Sequence, residues 1–274
     1  MSDTTQLASV INFLEALAPL DLAEEWDNVG LLLGDRDRDV SRIMTSLTIT
    51  PEVVEEAIST KVDLVVSHHP LPFRSLKKIT TDTISGQLIL KLIENRIAVY
   101  SPHTAFDSTA EGINQLIAEK IQLETVRPIQ PIAGWATTDL KKGEFIGTGR
   151  IGSFSTAKKC RQFCHELKDQ FGVPLVKFCG DLDSVVSRVA VACGSAGQLI
   201  SAASQAGCDA FITGETNFHT CLEATALGVS LFLLGHYGSE RFAIEILAEK
   251  LAIEFSDLSI HASHRESDPI QYVR

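Results

Sequence analysis

The chain has 274 residues, and 35 acidic against 24 basic side chains give it a formal net charge of −11. With 45% hydrophobic and 22% charged residues it has the composition of a soluble globular protein, long enough for one large or two modest domains. Apolar runs such as Leu231–Leu234 fall far short of the about 20 residues that span a bilayer, and no dense basic run favours bulk binding to a nucleic-acid backbone.

The pairs Lys141–Lys142 and Lys158–Lys159 read as solvated faces. Met1–Leu7 lacks the basic-then-apolar order of a secretory signal. All six cysteines fall in the second half, on helix-like and strand-like segments. Reduced thiols and a cytoplasmic location are therefore expected. Cys160 and Cys164 share a helix face but lack a second Cys/His pair to complete a zinc tetrahedron, so they read as buried structural thiols.

In chain order, Leu7, Val10, Ile11, Leu14 and Leu17 recur at helical spacing until Pro19. A polar turn, Glu25-Trp26-Asp27-Asn28-Val29-Gly30, precedes the apolar stretch Leu31–Leu33. Ile43–Ile49 is predicted as a strand, Pro51–Thr60 as a helix with proline in its first turn, and Asp63–Ser67 as a strand that runs into His68-His69-Pro70. Ser85–Asn95 follows as a helix and Ile97–Ser101 as a third strand, leading to His103 and Asp107. Alternation of this kind predicts parallel strands with helical crossovers.

The plan then recurs. At an offset of 146 positions Arg42 meets Arg188, Ala57 meets Ala203, and Asp63 meets Asp209 without a gap. Strand, helix and strand fall again at Val189–Cys193, Gln198–Ala206 and Asp209–Thr213, followed by a helix at Thr220–Leu227 and a strand at Val229–Leu234. Glu124–Phe154, with Pro128, Pro131 and glycines that include Gly134 and Gly143, reads as a connector with short strands. The expected fold class is α/β: two related βαβαβ units with mainly parallel sheets, the first over residues 1–124 and the second, with its connector, over 125–274, and a metal site between the two.

Ligands of open parallel sheets gather beyond the carboxyl ends of the strands. Four such ends carry His68-His69, His103 through Asp107, Gly214-Glu215, and His236 through Glu240. Adjacent histidines on an extended chain point to opposite sides, so two ions could take one each. His236 and Glu240 share a face if the chain turns helical after Gly235. Three imidazoles and two carboxylates (His68, His69, His236, Asp107, Glu240) suit a pair of zinc, iron or manganese ions better than calcium. Each residue also has a structural alternative. Asp107 could cap a helix near Gly112–Lys120, Glu240 could pair with Arg241 or Lys250, and His165, His219, His261 and His264 read as structural. Gly194-Ser195-Ala196-Gly197 is either an anion-binding helix start or a tight turn.

The strings Glu25-Trp26-Asp27-Asn28-Val29-Gly30-Leu31, Ser67-His68-His69-Pro70, His103-Thr104-Ala105-Phe106-Asp107, Gly149-Arg150-Ile151-Gly152 and Gly235-His236-Tyr237-Gly238-Ser239-Glu240 resemble the Nif-three-like family, in family order over nearly the whole chain. Its members are often labelled GTP cyclohydrolase 1 type 2 homologues. The resemblance implies a dinuclear metal centre with ligands at His68, His69, Asp107, His236 and Glu240. It places His103 beside the metals, as a ligand or as a proton carrier, and it implies a ring-shaped homohexamer. Trp26, Asp27 and Asn28 shape a loop near the site, with Trp26 read as packing. Glu215 either orients a ligand imidazole or contacts substrate.

The functional expectation is a metal-dependent hydrolase acting through a metal-bridged water on a small phosphorylated or nucleotide substrate, with His103 moving a proton. The alternative is a non-catalytic metal-handling or protein-interaction scaffold. No P-loop pattern is present to support a nucleotide site of that kind.

Overall fold

The computed structural model describes residues 4–132 and 146–273. Gly134, Gly143 and the Lys141–Lys142 pair lie outside the described residues. The principal helices are α1 (Leu7–Leu17), α2 (Pro51–Ser59), α3 (Ile84–Glu94), α4 (His103–Ser108), α5 (Ile113–Lys120), α6 (Cys160–Phe171), α7 (Ile200–Gln205), α8 (Phe218–Ala226) and α9 (His236–Glu254). The principal strands are β1 (Gly30–Leu33), β2 (Arg42–Ser46), β3 (Leu64–Ser67), β4 (Ala98–Ser101), β5 (Glu124–Arg127), β6 (Arg150–Lys159), β7 (Lys177–Cys179), β8 (Val185–Ala192), β9 (Ala210–Thr213), β10 (Ser230–Leu233) and β11 (Ser259–Ala262). None of the described helices is long and apolar enough to cross a membrane.

Two compact units result: Met1–Phe106 with Ala243–Pro269, and Asp107–Phe242 with Ile270–Arg274. The sequence reading puts one boundary after residue 124, whereas both units as folded are discontinuous. The reason is β11, a strand without a signal in the sequence reading, which pairs in parallel with β2 and so draws the C-terminal segment into the first unit.

In the first unit five strands lie in the order β11-β2-β3-β4-β1, all parallel except β1. Helix α2 begins where Thr50 accepts the Val53 amide (3.3 Å) and Pro51 fills the first turn, a position at which proline's missing N–H costs nothing. It buries Val53 and Ala57 in a core with Val65, Leu88, Leu92 and Val99. Side chains of this size each contribute roughly 1.5–3 kcal/mol when removed from water, so a charge at Val53 would break the layer. Strand β2 ends at Ser46, three residues before the predicted Ile49. There the Leu47 and Thr48 amides leave the ladder and donate to the Glu266 carboxylate (2.8 and 2.6 Å).

The second unit has six strands in the order β7-β10-β9-β8-β6-β5. Its centre, β8-β9-β10, is parallel, and antiparallel strands extend both edges. The segment read as a connector thus contributes β5 and the ten-residue β6 to the sheet. Ala203, Phe211, Ala224 and Leu231 form the core against α7 and α8.

The internal repeat is visible bond by bond. Asp63 accepts the Ser41 and Arg42 amides (2.8 and 3.0 Å), and Asp209 accepts those of Ser187 and Arg188 (3.0 and 3.1 Å). Registers match too, with Ile43 opposite Leu64 in one sheet and Val189 opposite Ala210 in the other, again 146 positions apart. The molecule is a mixed α/β fold of two related units with parallel strands and helical crossovers.

Candidate metal centre

In the first unit, the end of β3 brings together three imidazoles. His68, His69 and His103 each offer a nitrogen, and these lie within 4.8 Å of one another. The strand stops at Ser67 and the chain bends, so His68 and His69 converge, with ring centroids 5.0 Å apart. The extended-chain expectation of opposite directions is corrected by that bend. His68 is 1% exposed. Its carbonyl accepts the Ser101 hydroxyl (2.6 Å) and its amide donates to Ser46 (2.9 Å). The His69 Nδ1 meets the Thr48 hydroxyl at 2.7 Å.

His103 opens α4 with φ of +26°, a left-handed conformation that L side chains rarely adopt. Asp27 holds it there: Oδ1 lies 2.7 Å from His103 Nδ1, while Oδ2 accepts the Thr104 amide (3.1 Å) and hydroxyl (2.5 Å). Burial works to raise the Asp27 pKa, but the His103 and Thr104 hydrogen bonds and the His103 charge bring it below the ordinary value. A carboxylate at one ring nitrogen fixes the imidazole's tautomer and orientation. Trp26 is 61% exposed, with its ring edge-on to His103 at 6.0 Å. It walls the site rather than packing in a core, against the structural reading of this residue.

In the second unit, β10 runs through Gly235 into α9, whose first turn carries His236 and, four residues on, Glu240. Their Nε2 and Oε2 lie 3.2 Å apart, the shared helix face that the spacing predicts. Glu215 Oε1 lies 3.0 Å from His236 Nδ1, so this residue orients the imidazole. Glu240, opposed by burial and helped by Glu215, holds the His236 imidazole up at about 9. Glu240 is 2% exposed, which excludes a surface pairing as its setting. Gly194 permits this approach. Its φ is +61°, and a Cβ there would lie 2.5 Å from Glu240 Oε1. The Gly194 amide donates to Ser239 and the Ala196 amide to Thr213 (3.1 and 3.3 Å), which makes the 194–197 segment a tight turn and not an anion cradle.

Asp107 does not cap α5, whose N-cap is Gly112 without a side-chain bond. Its Oδ1 accepts the Cys193 thiol at 3.2 Å, and its carbonyl accepts the Asn114 amide (3.0 Å). The sequence pattern makes Cys193 the last residue of a strand and a reduced thiol, with no place at the site; it stands just beyond the end of β8, where ligands of such sheets gather. Its thiol is pushed well above its ordinary pKa by burial and by the charges of Asp107 and Glu240. Arg150 is wholly buried, donating to the Gln115 side chain (3.0 Å) and to the carbonyls of Gly147, Gly149 and Thr109 (2.8, 2.7 and 2.6 Å). All six cysteines are free thiols.

These surroundings fit a divalent cation. Three mutually close imidazoles offer the nitrogen donors that zinc, iron or manganese take. In the second unit, the charge that Glu215 and Glu240 draw onto His236 as a proton is charge that a cation would supply instead.

Two α/β units carry histidines and carboxylates beyond their strand ends, and the histidine group of the first is one that could hold a metal ion. The chain belongs to the Duf34/NIF3 (NGG1p interacting factor 3) family, whose model matches residues 5–269. A GTP cyclohydrolase 1 type 2 homolog of Clostridium acetobutylicum is 30% identical over 271 residues, covering 97% of this chain and 98% of that protein. A NIF3 homolog protein of Schizosaccharomyces pombe is 32% identical over 285 residues, covering 98% and 99%. Among solved structures, a Bacillus cereus protein related to NIF3 shares the fold with a TM-score of 0.88 at 23% identity over the whole of both chains. A Staphylococcus aureus protein aligns with a TM-score of 0.87 at 27% identity over 99% of this chain and 100% of that one.

Proposed function

We infer that this chain is a metal-dependent hydrolase in which His68, His69, Asp107, His236 and Glu240 hold two divalent ions, with zinc, iron or manganese suited to the donors. The observation that carries the reading is the convergence of His68, His69 and His103 nitrogens within 4.8 Å. It is supported by the His236–Glu240 pair of the second unit, whose carboxylate is buried. When bound, such ions polarise an electrophile and make water a nucleophile at neutral pH.

The residues of the chain do the rest. His103, oriented by Asp27, accepts a proton at one step and returns it to the leaving group at the next. Glu215 keeps the His236 ring in place, and Cys193 fixes the rotation of the Asp107 carboxylate. The substrate class is a small phosphorylated or nucleotide compound, and the working assembly is a cytoplasmic homohexamer.

The test is an activity screen of the metal-loaded protein across phosphoesters and nucleotides, with Asp107→Ala as control. Turnover by the parent and its loss in the variant are expected; equal turnover by both sinks the catalytic reading. Release of the ions to an acceptor protein without any turnover would favour a metal-handling role in its place.

A further inference from the structure

We propose that Glu266, in the segment that follows β11, is a positioning residue for the His69 imidazole and acts on it through Thr48. This role rests on the metal reading for what His69 binds, and it adds to that reading a residue of the C-terminal segment.

Strand β2 ends at Ser46, and the chain bends at Leu47 and Thr48. The bend leaves two consecutive amides outside the ladder, and one carboxylate takes both. The Leu47 amide donates to Glu266 Oε2 (2.8 Å) and the Thr48 amide to Oε1 (2.6 Å). Hydrogen bonds to an ionised acceptor are shorter and about twice as strong as neutral ones. His69 meets the gripped dipeptide at two points. Its amide donates to the Leu47 carbonyl (2.8 Å), and its Nδ1 lies 2.7 Å from the Thr48 hydroxyl. Thr48 is exposed, so packing does little to fix that hydroxyl, and the grip on its backbone sets where the oxygen stands. With Nδ1 engaged, Nε2 is the nitrogen left for a cation.

The second unit shows that the shared frame does not itself require this arrangement. At the offset of 146 positions Leu47 and Thr48 become Cys193 and Gly194, whose amides donate to Asn114 Oδ1 (2.8 Å) and Ser239 Oγ (3.1 Å). Both acceptors are neutral, and glycine has no hydroxyl to offer an imidazole. The first unit instead draws a carboxylate from 218 residues away and joins it to a threonine that touches a histidine ring. Glu56 supplies a control within the same segment. It accepts the Ser263 hydroxyl and the amides of His264 and Arg265, and so anchors that stretch through atoms other than those of Leu47 and Thr48.

The test is zinc affinity of the full chain by chelator competition, with the fold of each variant checked by circular dichroism. Glu266→Gln keeps the size of the side chain but turns an amide donor toward one of the two N–H groups. It and Thr48→Ala should each weaken zinc about tenfold, whereas Thr48→Ser should retain parental affinity. The Glu266→Gln/Thr48→Ala double variant should be no weaker than Thr48→Ala, because one residue acts through the other. Glu56→Gln should lower the melting temperature and leave zinc affinity within about twofold. The metal-free proteins give a second readout. In nitrogen-15 imidazole spectra at about pH 8, the parent should show one tautomer of His69 and Glu266→Gln should show both. A Glu266→Gln affinity within about twofold of the parent, equal weakening by Glu56→Gln, or a double variant that loses the product of the two single effects would overturn the proposal and leave the metal reading standing. A parent that holds no zinc removes the metal reading, and the His69 spectra then decide the role of Glu266: one tautomer in both proteins overturns it.

Discussion

Where the first unit ends its second parallel strand with His68-His69, the second unit, 146 residues on, has Gly214-Glu215. Around these positions the two units share a frame: an aspartate that accepts two amides, one strand register, and a third strand leading into a helix that opens with histidine. Their chemistry differs. The first unit assembles nitrogen donors, His68, His69 and His103. The second is dominated by oxygen, with Glu215, Glu240 and Asp107 around one imidazole and one thiol. A duplicated scaffold can thus keep its hydrogen-bond skeleton while the residues just past each strand end change identity, because the bonds there are made by backbone atoms (the His68 and His69 amides to Ser46 and Leu47, the Glu215 amide to Gly194) and leave the side chains free to differ.

The sharpest way to break this comparison is to remove a donor from either side. His68→Ala and Glu240→Ala should each empty at least one metal position while the chain stays folded. Elemental analysis that still finds two ions per chain in either variant would refute the ligand assignment. A weaker perturbation tests the supporting positions that the repeat pairs, Thr48 and Gly194. Gly194→Ala strains a +61° φ and pushes a Cβ to 2.5 Å from Glu240 Oε1. Thr48→Ala removes only the bond to His69 Nδ1. Metal affinity should fall by up to about a hundredfold for the glycine and about tenfold for the threonine. The reverse order in a chelator competition would mean that the second unit does not hold the tighter geometry.

The shared skeleton is tested by Asp63→Asn and Asp209→Asn, each expected to cost about 1.5–3 kcal/mol in denaturant unfolding. Equal costs support equivalent roles, and a negligible effect at one of the two would show that the repeat is only geometric. The smallest effect falls on Glu56, whose counterpart at the same offset is Ala202. Burial pushes Glu56 up, but the Ser263 hydroxyl and the amides of His264 and Arg265, with the His261 charge, bring it below its ordinary value. A depressed folded-state pKa stabilises the fold above the unfolded-state value of about 4.3 and loses that contribution as pH falls through the lower folded-state value. Glu56→Gln should therefore lower the melting temperature at pH 7, and the gap from the parent should close under acid. A gap that persists unchanged at pH 3 would contradict this.

Much of this was legible beforehand because it depends on local pattern. The periodicity of Leu7 to Leu17, the alternation of strand and helix, and Asp63 with Asp209 each announce a structure determined within a few dozen residues. Strand β11 was not legible, since its partner β2 lies more than 200 residues away, and the contacts to Leu47, Thr48 and Glu56 that hold the segment after it are as distant. At the candidate centre, the histidines and acids were found because they stand at strand ends. The convergence of His68 with His69 was not, because a two-residue bend after Ser67 reverses what extended geometry dictates. The setting of Cys193 was not legible because it closes the apolar pattern Val189–Cys193, while its partners Asn114 and Asp107 lie 79 and 86 residues away.

The sulfur of the second unit has a consequence for redox chemistry. Oxidants and alkylating reagents attack thiolate, not thiol. Burial lifts Cys164 and Cys179 to about 11, raises Cys208, and together with nearby carboxylates raises Cys193. At neutral pH these four side chains stay protonated and unreactive, and so supply bulk rather than a nucleophile. A chain with six cysteines and no disulfide can then meet a burst of peroxide with little of its sulfur primed to respond.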